Sequence, residues 1–129
     1  MRHSGLWHPR ITALVTAMGH GETLVVADPG LPVPRGVEVI DLVFARGEPG
    51  FMAVLRPILA ELVVEAATLA EELADAKLIE DVRMHLGDVQ LEWVTHAQLK
   101  AATASAKAVV RTGEDTPYAN IVLRAGVPF

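Results

Sequence analysis

The sequence predicts a single α/β domain over residues 1–129, built as three layers (α/β/α) around a mostly parallel or mixed central sheet. Three observations carry this. Short apolar runs of strand length alternate along the chain with stretches whose apolar residues recur at helical spacing. One run, Leu24-Val25-Val26-Ala27, contains no polar residue, as a strand covered on both faces requires. Turn-forming clusters, such as Asp28-Pro29-Gly30 and Arg46-Gly47-Glu48-Pro49-Gly50, separate the elements. The length of 129 residues suits one domain and is enough to bury most of the unfolded surface.

Each element has its own warrant. Pro9 fits a first helical position, and Ile11, Leu14, Val15 and Met18 continue at helical spacing to Gly19. Gly19 suits a left-handed residue closing that helix. The strand over 23–27 follows and ends on Asp28. In Asp28-Pro29-Gly30, Pro presets φ at one central turn position and Gly accepts positive φ at the next. Pro32 and Pro34 keep the chain extended. Residues 37–42 start with alternation and predict a second strand. Phe51, Val54, Leu55, Ile58, Leu59 and Leu62 form a helical stripe. Pro57 falls inside it and should kink the helix, since it removes one amide donor at a cost of ~3 kcal/mol. Residues 63–68 read as a strand, despite Glu65. Leu69, Leu73, Ala76, Ile79, Val82 and Leu86 predict a helix that Gly87 closes. Residues 89–95 read as a strand, 97–106 as a short helix, 107–111 as a strand, 112–120 as a loop and 121–124 as a last strand.

Composition narrows function. Hydrophobic residues make up 51% and charged residues 21%, the balance of a folded chain. The net charge of −5 and the lack of a basic stripe argue against a nucleic-acid partner. Cysteine is absent, which excludes disulfides and thiolate chemistry and suits a reducing compartment. No apolar run approaches the ~20 residues of a membrane-spanning helix. The apolar run after Arg10 is not expected to be a secretory leader, because it is short, His8 and Pro9 interrupt its approach, and no small-x-small cleavage site follows. A cytoplasmic location with no membrane partner is the expectation. No metal is expected, because neither His-x-His nor His-Glu-x-x-His spacing occurs, and no glycine-rich phosphate loop calls for a nucleotide cofactor.

The candidate chemistry lies in three places. His20 stands between Gly19 and Gly21; it is either a general acid or base or the cap of a helix end. Asp28 falls at a strand's carboxyl end, where open α/β sheets collect ligands, but Asp-Pro-Gly is also ordinary turn sequence. His96 and Lys100 share a helix face if both lie in its first turns, as a ligand pair or as a solvated helix start. Tyr118-Ala119-Asn120 offers a flat ring, a hydroxyl and an amide suited to a polyol, or simply a loop with an Asn turn.

Gly19-His20-Gly21-Glu22-Thr23-Leu24-Val25-Val26-Ala27-Asp28-Pro29-Gly30-Leu31-Pro32-Val33-Pro34, taken with Thr112-Gly113-Glu114-Asp115-Thr116-Pro117-Tyr118-Ala119-Asn120, resembles the sugar pyranase and mutarotase family. The resemblance covers nearly the whole chain. It implies an isomerase that exchanges the β-pyranose and β-furanose forms of D-ribose without any cofactor. His20 matches the family's catalytic histidine. Asp28, His96 and Tyr118-Ala119-Asn120 match its sugar-binding residues, and Lys100 is a weaker match. The family forms ring-like decamers. The alternatives are the branch that exchanges anomers of L-fucose, towards which Gly19-His20-Gly21-Glu22 leans, and a non-catalytic sugar binder. The segments 30–34 and 125–129 favour the ribose branch, whereas Pro29, His8-Pro9 and Pro57 depart from it.

A further expectation is independent of the family. His20 precedes the first strand and Asp28 ends it. Eight residues at roughly 3.3 Å each put their α-carbons up to about 26 Å apart if extended. One small sugar touching both residues therefore requires two copies of the chain, so a homo-oligomer of at least two subunits is expected.

Overall fold

The structure, a computed structural model, describes residues 1–129. Six strands, β1 (Thr23–Ala27), β2 (Glu38–Asp41), β3 (Val64–Ala70), β4 (Gln90–Val94), β5 (Ala108–Arg111) and β6 (Ile121–Ala125), form one sheet in the order β2-β5-β1-β6-β3-β4. β5 is parallel to both β1 and β2, and β3 is parallel to β4. β6 lies between β1 and β3 and runs antiparallel to both. The sheet is therefore the mixed form of the expected class. The reversal matters for function, because it brings the carboxyl end of β6 beside the amino ends of β1 and β3, with Arg124 opposite Thr23 and Ala66. The amino end of β6 meets the carboxyl ends of its neighbours.

Helices α1 (Pro9–Ala17), α2 (Phe51–Leu59) and α3 (Ala76–Leu86) cover one face over a core cluster of 24 buried residues. The opposite face buries a cluster of only 8 under α4 (His96–Ala102), the 3₁₀ turn Thr103–Ser105 and the extended segment around Leu31, so the first face is the main core. β1 is covered on both sides, with Leu24 to Ala27 fully buried, as its apolar run demands. On α2, Phe51, Leu55 and Ile58 are fully buried, and truncating any of them to Ala costs about 2–5 kcal/mol.

Local chemistry sets the helix ends. Pro9 is at the first turn of α1, and His8 Nδ1 accepts the Ile11 amide at 3.3 Å. Asp75 caps α3 through the Leu78 amide at 2.9 Å, and Gly87 closes it at φ 58°. Thr95 and Gln98 form a reciprocal capping box at the start of α4.

Five sequence readings need correction. α1 ends on an extended Met18, and the positive φ falls on Gly21, not Gly19. Gly21 occupies the third position of a turn closed by the Glu22 amide on the Gly19 carbonyl, a place that favours glycine. Gly30 has no positive φ, because Asp28 Oδ1 accepts the Gly30 amide at 2.8 Å and closes that turn through its side chain. Leu69 belongs to β3 and Leu73 to the turn after it. Their four-residue spacing imitated a helix that begins only at Ala76, once Asp75 can cap it. The short helix read over 97–106 stops at Ala102, and the 3₁₀ turn follows. Pro57 lies in the last turn of α2, which ends two residues on at Leu59, so the missing amide coincides with the helix terminus.

Candidate active site

The sequence-predicted residues divide between the two edges of the sheet. At the carboxyl end of β1, Asp28 and Asn120 hold each other. The Asp28 amide donates to Asn120 Oδ1 at 2.9 Å, and Asn120 Nδ2 donates to Asp28 Oδ2 at 3.1 Å. Asn120 is fully buried, so these bonds form where water does not compete. Thr112 anchors the 112–120 loop beside them, since its amide and hydroxyl both donate to the Ala27 carbonyl, at 2.8 and 2.9 Å. Glu114 organises the same loop, accepting the Phe51, Asp115 and Thr116 amides and the Thr116 hydroxyl.

Tyr118 is held at φ 62°, a strained conformation for a non-glycine residue, costing roughly 1–3 kcal/mol. Its ring meets His96 edge to face, with centroids 4.9 Å apart and planes at 74°. The His96 amide donates to the Glu72 carboxylate at 2.9 Å, and its Nδ1 is buried without a hydrogen-bond partner. Ala119 is buried between Tyr118 and Asn120. Lys100 is exposed on α4, and its ammonium has no ion-pair partner. A cavity of about 340 Å³ opens on this edge, lined by Asp28, Arg46 and residues 113–117 among others. Arg46 and Asp115 pair across its rim at 2.9 Å. The segment around Arg46 carried no functional signal in the sequence.

His20 is at the other edge. It sits at the corner of the 19–22 turn with its side chain 60% exposed, and its Nε2 is 2.8 Å from Glu65 Oε2. The other oxygen of Glu65 pairs with Arg124 Nε at 2.9 Å. These contacts hold the Glu65 carboxyl below the ordinary glutamate range, first through the bond to His20 and then through the charges of His20 and Arg124. Neither Glu65 nor Arg124 was singled out in the sequence as a site residue. The available signal was that Glu65 is the one charged residue in the β3 sequence Val-Glu-Ala-Ala-Thr-Leu-Ala.

Within one chain, Asp28, Asn120, His96 and Tyr118 thus share an edge, and His20 lies at the opposite one. Four rises of ~3.3 Å along β1 put about 13 Å between the edges before the flanking residues are added. No three His, Asp or Glu side chains converge as a metal-binding group, and no helix is long and apolar enough to cross a membrane.

The chain is similar over its whole length to known proteins. A D-ribose pyranase of Geobacillus kaustophilus is 47% identical over 131 residues, covering 100% of this chain and 96% of the relative. D-ribose pyranase 2 of Streptomyces griseus is 47% identical over 129 residues, with 100% of both chains covered. The structure of Bacillus subtilis RbsD complexed with D-ribose matches with a TM-score of 0.95 at 36% identity over 100% of both chains. A fucose mutarotase from Streptococcus pneumoniae, solved with L-fucose, matches at a TM-score of 0.80 and 22% identity over 95% of this chain and 94% of that one, a likeness of fold. The model of the RbsD / FucU transport protein family matches residues 1–128, and the chain belongs to that family.

Proposed function

We propose that this protein is an isomerase that interconverts the β-pyranose and β-furanose forms of D-ribose by general acid–base ring opening and reclosure. The observation that carries the reading is similarity over the full length to D-ribose pyranases, at 47% identity. The 0.95 TM-score to a relative complexed with D-ribose supports the choice of sugar.

The chemistry suits the residues present. Ring opening needs a proton delivered to the ring oxygen while a base takes the proton of the anomeric hydroxyl. The C1–O bond breaks, its electron pair stays on the former ring oxygen, and C1 becomes an aldehyde. Attack by a different hydroxyl gives the other ring size and returns both protons. His20 is the proton donor, an assignment supported by its exposure and its imidazole chemistry. On the other edge, the Asp28 carboxylate and the Asn120 amide grip hydroxyls, and Ala119 carries the backbone between Tyr118 and Asn120. The buried, unpartnered Nδ1 of His96 is a ready hydroxyl partner, and Tyr118 supplies a flat wall for the ring. Lys100 contributes an exposed cation from α4.

Because the two groups lie at opposite ends of β1, the site forms between copies: His20 comes from one, and Asp28, His96, Lys100, Tyr118, Ala119 and Asn120 from another. The active unit is a homo-oligomer, a decamer as the family implies. It works on a cytoplasmic monosaccharide, with neither nucleic acid nor membrane as partner. The test is NMR magnetisation transfer between ribose ring forms. The native protein accelerates exchange. His20→Ala loses about 10²–10⁴-fold of that acceleration, the usual worth of a positioned acid, and binds ribose within a few-fold of native. Unchanged exchange in His20→Ala rejects the assignment of His20. Acceleration with L-fucose and none with ribose moves the chain to the other branch.

A further inference from the structure

We infer that Glu65 is the positioning residue of the catalytic imidazole: clamped by Arg124, it takes the Nε2–H of His20 and leaves Nδ1 as the atom that exchanges a proton with the sugar. The inference rests on the reading of His20 as the acid.

Three observations converge. The first is the contact itself, His20 Nε2 to Glu65 Oε2 at 2.8 Å, with Arg124 Nε holding the other carboxylate oxygen at 2.9 Å. An ionised carboxylate only accepts hydrogen bonds, and Glu65 is kept ionised below the ordinary glutamate range. Its ring partner must therefore carry a proton on Nε2 whether the imidazole is charged or neutral. The reactive proton is then on Nδ1 in the charged ring, and Nδ1 carries the lone pair in the neutral one. Ring opening moves that proton from Nδ1 to the ring oxygen. Reclosure returns a proton from the attacking hydroxyl to Nδ1.

The second observation is the backbone. β3 pairs with β6 through Val64 opposite Ala125 and Ala66 opposite Arg124, so Glu65 has no partner and is the extra residue of a β-bulge. Bulges re-aim side chains and recur beside active sites. This one turns the strand's one charged side chain towards the 19–22 turn.

The third observation is the space that the bulge needs. A Cβ added at Gly126 would stand 3.1 Å from Glu65 Cβ and 3.5 Å from Glu65 N. The Gly126 amide also donates to the Val63 carbonyl at 2.9 Å, which ties down the strand just before the bulge. Glycine at 126 leaves room for the bulged residue.

Glu65→Gln tests this sharply. With its carbonyl oxygen on Arg124, the new amide presents N–H to His20 Nε2 and forces the neutral ring into the opposite tautomer. Imidazole ¹⁵N shifts of the neutral ring, with the His20 signals identified by their loss in His20→Ala, are expected to show Nε2–H in the native protein and Nδ1–H in Glu65→Gln. Ring exchange should fall about 10–100-fold, the usual cost of losing an orienting partner. Ribose affinity should stay within about threefold, and Glu65→Asp should recover part of the rate. A native ring with its neutral proton on Nδ1 overturns the inference without any Glu65 variant. So does a folded Glu65→Gln protein with native exchange. If His20→Ala itself keeps native exchange, the assignment of His20 fails first, and that result is distinct from the other two.

Discussion

The two ends of β1 are built on different physics. At the amino end, His20, Glu65, Arg124, Glu22 and Lys107 are partly exposed and held by ion pairs. At the carboxyl end, Asp28 is held by a buried amide, Thr112 by a backbone carbonyl, and His96 by an aromatic edge. The first arrangement suits a group that must gain and lose a proton, because solvent and counter-charges can follow the change. The second suits a rigid grip on hydroxyls, because buried hydrogen bonds fix geometry. One chain keeps the two apart, and in the proposed oligomer a neighbouring copy brings them together.

Mixing subunits breaks or sharpens that division most strongly. His20→Ala and Asp28→Ala should each be close to inactive alone. Dissociated and reassembled at equal amounts, they should recover roughly a quarter of native exchange, since a site between two copies draws each residue independently. No recovery after verified subunit exchange places both residues in one chain's site. A diluted monomer with full activity does the same.

The next largest effect falls on the carboxyl end. Asn120→Ala removes both of its bonds to Asp28 and leaves the Asp28 amide without its acceptor. A loss of about 1–3 kcal/mol in unfolding free energy is expected. Ribose affinity should fall at least tenfold. Denaturant unfolding and ribose titration check the two separately. A variant that binds ribose normally removes Asn120 from the grip.

Gly113→Ala should act more weakly and only through the scaffold. A Cβ there meets the backbone carbonyls of Glu48 and Ala45, so the chain must shift, at a cost of about 1–3 kcal/mol. The 45–49 segment is bonded to Gly113 through both of its backbone groups, and the cavity beside Asp28 should lose its shape. A lower unfolding midpoint with reduced affinity and an unchanged His20 tautomer is the expected result. A changed tautomer would mean that the two edges communicate.

What the sequence made legible follows the range of the forces involved. β1 was readable because an apolar run of that length has few other uses, and α3's end because Gly87 closes it. Pro9 marked a helix start for an equally local reason. The start of α3 was misread because Leu69 and Leu73 satisfy a helical spacing while serving a strand and a turn. The positive φ of Gly21 was not legible because its turn depends on Glu22 and on Ala125, which stands near the other end of the chain. His20, Asp28 and the 118–120 segment became site candidates through resemblance. Glu65 and Arg124 were not, because their meeting depends on the antiparallel β6 and on a bulge, and no periodicity records either. For the same reason the cavity's far wall, around Arg46, was read only as a loop.

The smallest effect, acid sensitivity, tests whether the two ends also differ in stability. Glu22, Glu38 and Glu65 all have carboxyls held below the ordinary glutamate value of 4.5, chiefly by hydrogen bonds from Lys107, Arg10 and His20 respectively. A carboxyl whose value is lower in the folded chain adds stability above its unfolded value. That contribution is lost as pH falls through the folded value, because the unfolded chain then binds more protons. All three groups are at the surface, so each effect is small. All three also lie at the amino ends of β1, β2 and β3. At the carboxyl ends only Asp41, bonded by Arg111, is held low, and its ordinary value of 3.8 is already below that of glutamate. Lowering the pH from 6 to 3.5 should therefore loosen the amino-end edge first. Amide exchange protection should fall at Gly21 and Ala125, whose bonds close that edge at 2.8 and 2.9 Å. It should persist at Asp28, whose acceptor is a neutral amide that does not titrate in this range. Equal loss at both edges would mean that the ion pairs around His20 do not stabilise its turn, and that the contrast between the two ends of β1 is one of chemistry alone.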